Sequence, residues 1–354
     1  MNQLKSFLNR VFIEGLGAMA LGLFSTLIIG TIMVQLGSFI GGSIGEIFVL
    51  LGKIASAMTG AGIGASVAFK LKQSPLVMIS SATAGMVGAF AGKIANHGVI
   101  VEDGILLSGP GEPLGAFIAA YVAIEIGGLV AGKTKVDILV TPLATIVSGS
   151  VIGLLVGPPI TRFMQALGTI INWGTEQQPF LMGIIVSVVM GIVLTLPISS
   201  AALGIILNLS GMAAGAATIG CCCHMVGFAV MSYRENKLQG LIAQGIGTSM
   251  LQVPNLMKKP VLWLPVVISS AILGPIGILV FGMTNNATGS GMGTAGLVGQ
   301  IMTYQTMTQV EPPLLVLVKI LVIQVILPAV LTLGISEFMR RKQVILEGDL
   351  KLQL

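Results

Sequence analysis

Long apolar runs, separated by short polar or Gly/Pro-rich stretches, organise this 354-residue chain. A helix that crosses a bilayer needs about 20 largely apolar residues. Residues 12–36, 44–69 and 76–94 meet that requirement. In the second of these runs Glu46 and Lys53 share one helical face, so its first half is amphipathic or turned toward protein. Residues 114–131 and 138–156 follow, then 180–196, a small-residue-rich 201–231, 261–281 and 314–335. Residues 241–251 are too short to cross upright at about 1.5 Å per residue.

The breaks between these runs carry their own pattern. Gly109-Pro110-Gly111-Glu112-Pro113 cannot continue a helix, and Pro197-Ile198-Ser199-Ser200 ends another. After Pro158-Pro159, Phe163, Leu167, Ile170 and Ile171 recur at helical spacing among polar residues, which predicts a separate amphipathic helix lying in the membrane interface at 160–173. Residues 284–303 form a second Gly-rich, polar, non-spanning stretch. Asn96-His97 leads through one interrupted stretch to Glu112-Pro113 and a spanning helix, and Asn285-Asn286 leads through the other to Glu311-Pro312 and a spanning helix. Interrupted segments in corresponding places point to a transporter binding site between repeats, although Pro also commonly starts helices.

Composition narrows the class. Hydrophobic residues make up 54% of the chain and charged residues 9%, with a mean hydropathy of +0.98. So few charges cannot cover a soluble protein of this size, which excludes an ordinary cytosolic enzyme, a nucleic-acid-binding protein and a disordered scaffold. Continuous apolar runs also exclude a β-barrel. The expected fold is all-α, a polytopic membrane protein of about ten transmembrane helices with re-entrant hairpins and an interfacial amphipathic helix. It divides into one integral membrane transport domain, residues 1–340, and a short cytoplasmic tail, 341–354. The 48 glycines suit close helix packing and broken helices. Arg340-Arg341-Lys342 places the C-terminus in the cytoplasm, and Lys5 and Arg10 place the N-terminus there, in the cell membrane. The N-terminal run reads as a retained helix, since no clean small-residue cleavage site follows it.

Ionisable groups inside a membrane segment are costly and point to function. Glu112, beside a helix start, can accept hydrogen bonds from vicinal hydroxyls while the helix N-terminus stabilises its charge, which suits a neutral polyol; its alternative is a loop residue capping the next helix. Asn285 and Asn286 both donate and accept, matching hydroxyls, or serve as turn residues. Asn96 and His97 border the first broken stretch. Asn208 reads as lying inside an apolar helix and hydrogen-bonding across it. His224 sits in an apolar run, the setting of a packed core histidine, and stays among the substrate-binding candidates. Glu125 either pairs with a Lys such as Lys93 or faces a cavity. Cys221-Cys222-Cys223-His224 lacks metal-ligand spacing, because successive helical residues point about 100° apart. Gly291-Met292-Gly293-Thr294-Ala295-Gly296 matches a dinucleotide fingerprint in letters only, without the strand–turn–helix context. No metal, cofactor or catalytic residue is expected.

The order of features resembles the membrane-embedded IIC component of the sugar phosphotransferase system, and more narrowly its lone-IIC, PfoR-like or toxin-regulator-like branch. The resemblance runs from Phe12 to Arg341. It rests on the proline-bounded stretch 158–179, on Leu196-Pro197-Ile198-Ser199-Ser200-Ala201-Ala202, on Ser232-Tyr233-Arg234-Glu235-Asn236-Lys237, on Pro254-Asn255-Leu256-Met257-Lys258-Lys259-Pro260 and on the loop 285–299. It implies a homodimer that binds and translocates a sugar, with separate IIB and IIA proteins delivering phosphate. Glucose-type members carry a Glu-Pro pair shortly before the segment like 255–260; here Leu251-Gln252-Val253-Pro254 stands in that place. Assigning the sugar-binding carboxylate to Glu112 therefore rests on local chemistry. Two other readings stay open: an ion-coupled secondary transporter using Glu112 or Glu125, and a membrane sensor that binds ligand without transport.

Overall fold

Glycines let the first two helices touch along their backbones. In the computed structural model, which describes residues 10–352 apart from 97, 102, 103 and 108, α1 (Arg10–Ile40) turns at Gly41 into α2 (Gly42–Ala57). A Cβ on Gly37 would stand 2.5 Å from the Gly45 carbonyl oxygen, and one on Gly30 would stand 2.6 Å from that of Gly52. Small residues at such crossings drive helix association in lipid, where apolar side chains gain nothing by leaving the tails. A bend of 53° at Met58 separates α2 from α3 (Thr59–Lys70). Next, α4 (Pro75–Ala95) starts with Pro75 at its first turn and Ser74 accepting from the Val77 N–H at 3.4 Å. A hairpin of β1 (Ile100–Val101) and β2 (Gly104–Ile105) follows, then α5 (Pro113–Val130).

The separate interfacial helix does not form. Helix α6 runs unbroken over Asp137–Thr175, with Pro142, Pro158 and Pro159 inside it. Proline removes one backbone bond per site, which membrane helices tolerate when neighbours hold the chain in place. That support is visible here: Gly149, Gly153 and Gly157, one turn apart, pack on Ala84, Gly88, Ala91 and Ala119 of α4 and α5. The amphipathic stretch is the end of a long helix.

The chain divides into two compact units, Met1–Met164 and Gln165–Leu354, with the division inside α6. The second unit continues with α7 (Pro179–Thr195), α8 (Ser200–Ile206), α9 (Gly211–Met231) and α10 (Tyr233–Ile242). A π turn at Ala243–Gly247 and a 3₁₀ turn at Ser249–Gln252 lead to α11 (Val253–Lys258) and α12 (Pro260–Leu279). Finally come α13 (Ala287–Ser290), α14 (Val298–Met307) and α15 (Pro313–Arg341). Helix α9 is buried almost along its whole length, and its Gly220 lets it touch the Ser187 backbone of α7. One apolar cluster joins Ile219 and Cys223 to Leu273 and Ile323; another joins Phe228 to Leu262, Met339 and Leu350.

Among the described residues seven helices are long and apolar enough to cross a membrane: α1, α4, α5, α6, α9, α12 and α15. The bent pair α2–α3 makes an eighth, and α7 is a shorter apolar helix. The protein is an all-α, polytopic membrane protein.

Candidate functional site

Two interruptions of the helices meet in the second unit. Helix α7 ends at Thr195 before Pro197, and the chain resumes as α8; the loop after α12 leads to the short α13. Ser200 Oγ donates to the Gly291 carbonyl at 2.6 Å, and Gly204 backs directly on Ser290 and Ala287. Non-helical backbone in a membrane protein persists only where protein or a water-filled cavity satisfies it.

Asn285, 1% exposed, ties this element to α9. Its backbone N–H donates to the Gly211 carbonyl at 3.2 Å. Its Nδ2 faces three acceptors: Thr218 Oγ1 at 2.7 Å, Thr303 Oγ1 at 3.0 Å and the Gly299 carbonyl at 3.1 Å. An amide has two N–H groups, so protein acceptors take both. Asn286 caps α13, its Oδ1 accepting from the Gly289 N–H at 3.0 Å. Thr303 also accepts from Gln324 Nε2 at 2.9 Å, and Gln324 lies in a π turn of α15, a device common at functional sites. Gln324 Oε1 and Thr294 Oγ1 are buried with no hydrogen-bond partner among the described residues. Buried polar atoms left open in this way call for a ligand or water.

Asn208 does not lie inside a helix. It follows α8 with φ +47°, exposed, its N–H bonded to the Ile205 carbonyl, and Gly211 with φ +57° then starts α9. Asparagine tolerates this left-handed turn better than most residues, which splits the expected single run 201–231 in two. His224 is fully buried, with Nδ1 3.0 Å from Thr195 Oγ1, itself 2.8 Å from Ser249 Oγ. Its ring packs against Phe228 and Trp263, and Nε2 abuts Gly191, where a Cβ would stand 2.7 Å away. The cysteines diverge: Cys221 points at the Met190 carbonyl, Cys222 receives Gln300 Nε2 at 3.3 Å, and Cys223 joins the apolar cluster with Ile219.

Glu112, Asn96 and His97 belong to the first unit. His97 lies outside the described residues. Asn96 is exposed and ends α4. Glu112 is half-buried at the N-terminus of α5, its backbone N–H donating to the Ala89 carbonyl at 2.7 Å. Gly111 holds φ +71° beside Ala89, so only glycine fits there. Glu125 pairs with Arg10 at 3.1 Å rather than with Lys93, whose ammonium sits over the Phe90 ring. Glu311 is clamped by Lys319, whose Nζ lies 2.8 and 2.7 Å from its two oxygens. A sequence reading passes over Lys319 and Gln324, yet each is an isolated polar side chain inside an apolar run, the signal that marks a functional candidate.

A family model, Phosphotransferase system, EIIC, matches residues 13–352. The chain belongs to the phosphotransferase system EIIC family. It is a membrane sugar permease component of that system. In this EIIC protein the match takes in both units and both broken segments. No curated protein matches the chain.

Proposed function

We propose that this EIIC protein binds a sugar or sugar-like solute at its broken helical segments and releases it to a separate IIB protein for phosphorylation. The element around Asn285 carries the reading, because it encloses buried polar groups of which Gln324 Oε1 and Thr294 Oγ1 are left open. Hydroxyl groups of a polyol donate to such acceptors. In the first unit Glu112, half-buried at a helix N-terminus, is a separate candidate carboxylate for solute hydroxyls. Asn285 and Asn286 hold the loop in shape, and His224 braces α9 against α7. Both termini face the cytoplasm in this reading, supported by Arg340-Arg341-Lys342 and Arg10. The family resemblance supports a homodimer and the lone-IIC branch.

The test is uptake into vesicles containing the protein, with sugars, sugar alcohols and sugar acids as solutes. Uptake that requires phosphoenolpyruvate with IIA and IIB proteins supports the reading. Uptake driven by a proton or sodium gradient alone makes the protein a secondary transporter, and saturable binding without uptake makes it a sensor.

A further inference from the structure

Residues 345–352 fold back onto the segment between α9 and α12. Leu350 is fully buried and Ile345 and Leu352 nearly so, packed with Phe228, Leu256 and Leu262. Three side-chain amides read the backbone of this stretch. Asn236 donates to the Leu350 carbonyl at 2.8 Å and accepts from the Leu352 N–H at 2.8 Å. Gln252 donates to the Leu350 carbonyl at 3.1 Å, and Asn255 to the Lys351 carbonyl at 3.0 Å. Lys259 Nζ lies 2.5 Å from Asp349 Oδ2. The stretch is a turn, with the Asp349 N–H on the Leu346 carbonyl and the Lys351 N–H on the Gly348 carbonyl. Main-chain bonds that fix its register, an apolar pocket for Leu350 and a cation for its acidic neighbour are what a groove needs to recognise such a peptide turn.

The groove also carries strain. Lys237, next to Asn236, sits at φ 52°, ψ −151°, a region sparsely populated by any residue but glycine. Gln343, where the chain leaves α15, has φ +57°, and Gly348 has φ +90°. One left-handed residue therefore precedes the stretch and another lies within it, and a strained residue flanks the amide that grips Leu350 and Leu352. The Asp349–Lys259 pair is 22% and 31% exposed, within reach of water.

We propose that Asn236, Gln252, Asn255 and Lys259 form a binding groove for a peptide turn of acidic-Leu-x-Leu pattern, and that residues 345–352 are its displaceable resident ligand. This assignment rests on no assumption about the transported solute. Release exposes buried amides on the segment that also positions Ser249 beneath Thr195 and His224, so occupancy of the groove is coupled to the packing of α9 against α7.

The test uses the full chain in lipid nanodiscs and a labelled peptide of sequence Ile-Leu-Glu-Gly-Asp-Leu-Lys-Leu. In the Leu350→Asp variant the resident stretch is expelled, so the peptide binds saturably; wild type, with its groove filled, binds it far more weakly. Replacing the peptide's Asp by Asn weakens binding about tenfold, the scale of one charge-assisted hydrogen bond. A folded Leu350→Asp variant that does not bind the peptide overturns the proposal. Hydrogen exchange of wild type decides the matter even if that variant fails to fold. Residues 345–352 should exchange well before α9, and Lys237→Gly, which relieves the strain, should slow them. Exchange of 345–352 only together with α9 makes the stretch a permanent part of the core and overturns the proposal.

Discussion

Asn285 Nδ2 lies 2.7 Å from Thr218 Oγ1, so a single amide pins the loop to the buried face of α9. Replacing it by Ala leaves buried Thr218 Oγ1 without its donor, while Thr303 keeps Gln324. We expect Asn285→Ala to lower stability by about 2 kcal/mol, read as a lower unfolding temperature in detergent, and to abolish solute binding. Unfolding at the wild-type temperature would show that the loop is held by its backbone contacts instead.

Glu311, of the second Glu-Pro pair, has a cation beside it. Lys319, eight residues beyond Glu311, holds both carboxylate oxygens. Glu311→Gln leaves a mostly buried ammonium without its counter-ion. The expected cost is about 2 kcal/mol, and adding Lys319→Met should recover most of it. Glu311→Gln as stable as wild type would mean that water already screens the pair.

Glu112→Gln keeps shape and removes charge. It should fold and unfold like wild type while losing the thermal stabilisation that a bound sugar confers by mass action. An unchanged ligand-induced shift would remove Glu112 from the site.

Gly37 has room for no side chain. Its Cβ would meet the Gly45 carbonyl at 2.5 Å. Gly37→Leu should separate α1 from α2, seen as early proteolysis of the hairpin. Proteolysis at the wild-type rate would place the contact elsewhere.

The resident stretch 345–352 is expected to loosen in acid. Burial works against the charge on Asp349, but hydrogen bonds from Lys259 and the Leu346 N–H outweigh it and hold its carboxyl below the usual range. A carboxylate lowered in the folded protein stabilises above its unfolded pKa, about 4, and that contribution is lost as pH falls through the folded value. The protection of 345–352 against hydrogen exchange, corrected for the intrinsic rate at each pH, should therefore fall below about pH 4, and Asp349→Asn should be weakly protected at every pH. A pH-independent protection factor in wild type would discount the ion pair.

The cysteines offer a check on packing. All three are fully buried, so maleimide should label none of them in the folded protein. Rapid labelling would mean that the loop over Cys221 and Cys222 opens freely.

Much of the fold is legible in the sequence because the bilayer imposes length and hydrophobicity on each helix, independently of its neighbours. Most apolar runs, the Pro197 break and the Gly109–Pro113 break appear where pattern alone puts them, while 44–69 is bent at Met58 and 201–231 is split at Asn208. The continuity of α6 through Pro158-Pro159 is not legible, since it depends on Gly149, Gly153 and Gly157 finding α4 and α5. Nor is the turn at Asn208, which needs a left-handed residue only because α8 docks on α13. For the site, residue type identified Glu112 and Asn285 as polar groups in broken segments. Tertiary contacts alone gave Glu311 its Lys319 clamp, turned Asn285 into a structural tie and gave Glu125 its Arg10 partner. The sequence by itself determined which stretches leave water. Which buried polar groups satisfy one another, and which stay open for a ligand, was decided by packing, because a hydrogen bond depends on atoms that only the folded chain brings within 3 Å or so.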